Sequence, residues 1–92
     1  MTKREFAKRV WTKFRKEQCA LEGVLELRGD GVYFTATTGK ASWFDCWWAD
    51  KEFRTLLREA YESGIERIEV AIMDGDKIAI QVDGEIYRFG WR

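Results

Sequence analysis

Asp45 stands two residues from Trp43 and two from Trp47, inside the run Trp43-Phe44-Asp45-Cys46-Trp47-Trp48. A carboxylate among aromatic rings loses solvation in its charged form, and its pKa rises. One such acid still lacks the second group that acid–base chemistry or nucleophilic attack requires. Cys46 beside it has no His to take its proton, because the chain contains none. Asp50, Asp74, Asp76 and Asp83 fall where helix caps and turns are expected, and those structural roles account for them. Gly29-Asp30-Gly31 and Thr37-Thr38-Gly39-Lys40 contain glycine but not the GxxxxGK[ST] spacing that cradles phosphate. Arg28-Gly29-Asp30 matches a cell-adhesion tripeptide, yet in a hairpin its residues serve turn geometry. Zinc needs about four ligands, and two cysteines without His or a CxxC pair do not supply them. Cys19 and Cys46 read as buried free thiols rather than a disulfide framework. The residues therefore predict no enzyme, no metal and no cofactor.

What remains is binding. Residues 3 to 19 carry Lys3, Arg4, Lys8, Arg9, Lys13, Arg15 and Lys16 against Glu5 and Glu17. Lys8, Arg9, Arg15 and Lys16 lie on or beside the face opposite the apolar stripe. They could meet phosphate backbones or an acidic protein surface, or form a solvated face that offsets an acidic remainder. The second candidate is aromatic. If residues 41 to 48 form a strand, Phe44, Cys46 and Trp48 face one way, and Trp43 and Trp47 face the other with Tyr33. Such rings on an open sheet face would mark a protein-binding or self-association surface. The alternative is that they pack on each other or beneath a loop.

These side chains need elements to hold them. Phe6, Val10 and Phe14, with Ala7 and Trp11 beside them, make one helical stripe over 3 to 19. Thr2 is its N-cap and Glu5 the capping-box partner. From Val24 the period changes to two: Leu25 and Leu27, then Val32, Phe34 and Ala36 across the turn at 28 to 31. A second helix begins at Asp50, with Phe53, Leu56, Leu57, Ala60 and Tyr61 as its stripe and Gly64 as its stop. Three further strands follow: Ile68, Val70 and Ile72; Ile78, Ile80 and Val82; and Tyr87, Phe89 and Trp91. Asp-Gly pairs mark the hairpins between them.

The order predicts an α+β fold, αβββ-αβββ, with two helices on one face of a largely antiparallel six-stranded sheet. The strand at 41 to 48 is the exception to a clear pattern, since Ser42 could instead cap a short helix there. The 92 residues suit one compact domain, 1–92, with 46% hydrophobic and 15% aromatic content. Sixteen basic residues balance sixteen acidic ones, so the whole chain has no bulk attraction to nucleic acid or anionic membrane. No apolar run approaches the roughly 20 residues of a membrane span, and the first ten residues lack the apolar core of a signal peptide.

The expectation is a small, cytoplasmic, non-catalytic binding protein that acts through surface contacts with a protein or nucleoprotein partner. Compact accessory and inhibitor proteins of phages share this size and lack of motif, which is analogy only. Two rival expectations stand beside it. One is a nucleic-acid binder using the basic first helix. The other is a de novo designed scaffold without biological function. Asp-Gly turns, a tidy helix-to-strand joint at 62 to 72 and the absence of Pro, His and Asn favour the scaffold. The Trp-rich run and the free thiols oppose it.

Overall fold

A computed structural model of the chain describes residues 1–17, 22–36, 47–73 and 77–90. Helix α1 runs Lys3–Glu17. Its start is closed by the expected capping box: the Glu5 amide donates to Thr2 Oγ1 at 3.1 Å, and the Thr2 hydroxyl donates to the Glu5 carboxylate at 3.1 Å. Strands β1 (Gly23–Arg28) and β2 (Gly31–Ala36) form a hairpin. Helix α2 spans Lys51–Glu62, and β3 (Arg67–Met73), β4 (Lys77–Val82) and β5 (Glu85–Gly90) follow.

The five strands make one sheet in the order β2-β1-β3-β4-β5, with every neighbouring pair antiparallel. The α+β class and the antiparallel sheet agree with the sequence; the strand count does not. Five strands, not six, are present among the described residues. Trp47 and Trp48, expected to end the sixth strand, are helical. The Asp50 amide donates to the Trp47 carbonyl at 3.0 Å, so the chain turns here instead of extending. Residues 41–46, including Trp43, Phe44, Asp45 and Cys46, lie outside the described residues. So do Cys19, the turns at 37–40 and 74–76, and Trp91.

Both ends of α2 follow from local chemistry. The Asp50 carboxylate accepts from the Glu52 amide at 2.9 Å, as an N-cap should. At the other end Gly64 has φ of 90°. That value lets its amide reach the Tyr61 carbonyl while the Ile65 amide reaches Ala60, each at 3.0 Å. This is the Schellman closure, and the buried Ile65 supplies its apolar contact. The β4–β5 turn places Asp83 at φ 47° and Gly84 at φ 91°. Two successive positive values match the right-handed strand twist that a two-residue hairpin needs.

Alternation sorts the sheet into two faces. Leu25, Leu27, Ile68, Val70, Ile78, Ile80 and Val82 are buried beneath the helices. Val32, Phe34, Tyr87 and Phe89 pack at the margins of that core. From α1 come Phe6, Ala7, Val10 and Phe14, and from α2 Phe53, Leu57 and Ala60. Burying a large side chain of this kind stabilises by roughly 1.5–3 kcal/mol before chain entropy is subtracted. Helix α1 lies over β4 and β5, and α2 lies over β1. Trp11 fixes the first contact by stacking on Phe89 with centroids 5.0 Å apart and donating its indole N–H to the Gly90 carbonyl at 2.7 Å.

Candidate functional site: a basic groove between the helices

Of the outer-face rings anticipated from the sequence, Trp47 is in the core instead. Trp47 is only 2% exposed. It sits on the helix side of the core, 4.5 Å from Phe14 and 5.3 Å from Phe53 between ring centroids. Trp48, expected in the core, is 38% exposed. The inversion follows from the helical turn: strand alternation, which assigned the two faces, does not apply to residues 47 and 48. Trp43 lies outside the described residues. Tyr61, counted in the apolar stripe of α2, is also exposed.

Tyr33 is the expected outer-face ring that the structure leaves exposed. Its hydroxyl donates to Asp30 at 2.8 Å, and the Arg28 guanidinium lies 4.4 Å from its ring centre. The bond to Asp30 holds the phenol proton and raises its pKa, with the Asp30 charge adding to the effect. Around Tyr33 the strand register aligns Thr35, Val24, Glu69, Gln81 and Ile86 across the sheet. That mixed row suits the wetted side of an antiparallel sheet.

The basic residues of α1 separate by direction. Arg9, Thr12, Lys13 and Lys16 recur at helical spacing and line one wall of a groove of about 540 Å³ between α1 and α2. Lys51, Glu52, Thr55, Leu56 and Glu59 line the other wall, and Phe53 contributes to its apolar floor. Two cross-helix ion pairs fix its shape. Arg9 Nη1 meets Glu59 Oε2 at 3.2 Å, between two exposed side chains. Lys13 donates to the Asp50 carboxylate, and its ammonium lies 5.8 Å from the centre of the Trp47 ring. The Lys13 bond, followed by the Glu52 amide, holds the Asp50 pKa below the usual carboxylate range. The side chains of Lys16 and Lys51 have no ion pair or hydrogen bond among the described residues.

The four basic residues singled out on α1 are therefore not one cluster. Arg9 and Lys16 enter the groove. Arg15 turns to the other flank, its guanidinium 4.8 Å from the Trp11 ring centre, and Lys8 is exposed outside the groove. Sequence reasoning missed Lys13 and Lys51. Lys13 follows Arg9 by four residues and precedes Lys16 by three, so helical spacing already places it on their stripe. Lys51 comes from a helix remote in sequence, and no local pattern joins it to α1.

A row of ammonium and guanidinium groups over the half-buried Leu56 can hold carboxylates or phosphates beside an apolar contact. Among the described residues, no group of three His, Cys, Asp or Glu is placed to hold a metal ion. No helix among them is long and apolar enough to cross a membrane. Compared with known proteins, the chain matches no family model, no curated protein and no solved structure.

Proposed function

We propose that this chain is a small non-catalytic binding protein, and that the α1–α2 groove is the surface it presents to an acidic segment of a protein partner. One observation carries the reading: four cations from two helices converge on one apolar-floored groove, with Lys16 and Lys51 uncommitted among the described residues. An amphipathic helix with acidic flanks would place an apolar side chain on Leu56 and carboxylates beside the lysines, the helix-in-groove mode. A stoichiometric accessory or inhibitor protein works in this way. The proposal sets it in the cytosol, where Cys19 and Cys46, read from the sequence as free thiols, would stay reduced.

A second reading has its own support. Arg9, Lys13 and Lys16 follow one another about one helical turn apart, a spacing that can also track a phosphate backbone. Column retention separates the two. A nucleic-acid binder stays on heparin at low salt and elutes progressively as salt rises. The protein-binding reading predicts capture by a Glu-rich amphipathic peptide and little retention on mixed-sequence DNA or RNA.

A further inference from the structure

Helix α2 also borders a second cleft, on the side away from α1, with the core residue Leu57 at its base. Arg54, Leu57, Arg58 and Tyr61 recur at helical spacing and, with Trp48, line this cleft of about 410 Å³ against the β1–β2 turn. Its size falls within the range of small-ligand pockets. Trp48 and Tyr61 are 38% and 44% exposed, so two aromatic side chains border the opening. Gly29 lets the turn come close: a β-carbon there would lie 3.2 Å from the Tyr61 hydroxyl oxygen.

The charge is one-sided. Arg28, Arg54 and Arg58 line the cleft, and Asp30 is the acid among its lining residues. Asp30 is occupied by the Tyr33 hydroxyl, while Arg28 is paired with Glu26 at 2.9 Å. Arg54 donates to the Trp48 carbonyl, a neutral acceptor that ties it beside that residue, and it has no ion pair among the described residues. The Arg58 side chain has no ion pair or hydrogen bond among the described residues.

We infer that this cleft binds a nucleotide, with the base against Trp48 and Tyr61 and the phosphate on Arg58 and Arg54. A guanidinium fork matches phosphate oxygens in pairs, and aromatic faces stack bases without regard to sequence. A base offers a flat face to the rings and a phosphate offers paired oxygens to the guanidinium groups, a combination that a carboxylate-rich peptide lacks, and the lining of the lysine-rich groove on the other side of α2 holds no exposed ring. The ligand is a free mononucleotide or one unit of a single strand.

The test is a titration of the ¹⁵N-labelled full chain at low salt with AMP, ribose 5-phosphate and a short oligo-dA. AMP should move the amide signals of residues 28–31, 54, 58 and 61, and ribose 5-phosphate should bind about tenfold more weakly for want of a base. Oligo-dA binding tighter than AMP assigns a strand as the source; equal affinity per site assigns the mononucleotide. Arg58→Ala and Tyr61→Ala should each weaken AMP binding by about tenfold with an unchanged melting temperature. Arg88→Glu, at an exposed strand position that lines neither the groove nor the cleft, should leave it unaltered. Equal binding of AMP and ribose 5-phosphate overturns the proposal. So does loss of binding in Arg88→Glu but not Arg58→Ala, a Glu-rich peptide competing for the cleft as well as AMP does, or no response to any probe at millimolar concentration.

Discussion

At the scale of single residues, adjacent tryptophans have opposite fates. Trp47 is wedged between Phe14 and Phe53, and Trp48 borders solvent. Trp47→Ala should cost about 3–5 kcal/mol, the usual consequence of emptying a large aromatic site. Trp48→Ala should cost about 1 kcal/mol or less. Urea unfolding of both variants checks the order, and a larger loss for Trp48 would restore the strand assignment. The aromatic density of this segment was plain in the sequence, but which ring is buried was not. Period two and period 3.6 assign the same residues to different faces, and a short apolar run does not choose between them. Asp50 offers a second test at this scale. Its folded pKa lies below its unfolded value, so its pair with Lys13 stabilises fully above the unfolded pKa. That contribution is lost as pH falls through the lowered folded pKa, below about pH 4. Asp50→Asn keeps a good cap and removes the charge. Its melting temperature should therefore fall less steeply than the parent's on acidification, and parallel acid limbs would show that the pair contributes nothing.

At the scale of elements, local signals carried far. The capping box of α1, the Schellman closure of α2 and the alternation of β1, β3 and β4 were all legible, because each depends on residues within a few positions of one another. The strand order β2-β1-β3-β4-β5 was less so, since the pairing of β1 with β3 joins segments separated by a whole helix. Asp83 shows how one turn residue can serve a neighbouring strand. Its carboxylate accepts from the Glu66 amide at 3.1 Å and the Arg67 amide at 2.8 Å, where β3 begins. Its backbone also occupies a positive φ that Asp and Asn tolerate better than Ala. Asp83→Ala should destabilise by about 2 kcal/mol, with Asp83→Asn losing roughly half as much. Chemical denaturation measures both, and equal losses would mean that the carboxylate bonds, rather than the φ, account for the effect.

At the scale of the whole molecule, zero net charge conceals a division of surfaces. Cations gather between the helices, while the outer sheet face alternates Thr, Val, Glu, Gln and Ile across its strands. The groove was only half legible in the sequence. The positive character of α1 was evident, but its partners Asp50 and Glu59 lie 37 and 50 residues from Lys13 and Arg9. Only packing of the helices shows which cations are committed. The most direct measurement is amide shift mapping with a Glu-rich amphipathic peptide, on the parent and on Lys16→Glu/Lys51→Glu. Residues 9–16 and 51–59 should respond, affinity should fall with salt, and the double variant should bind at least about tenfold more weakly with its melting temperature preserved. A response centred on Tyr33 and Ile86, or affinity untouched by the double charge reversal, would contradict the account.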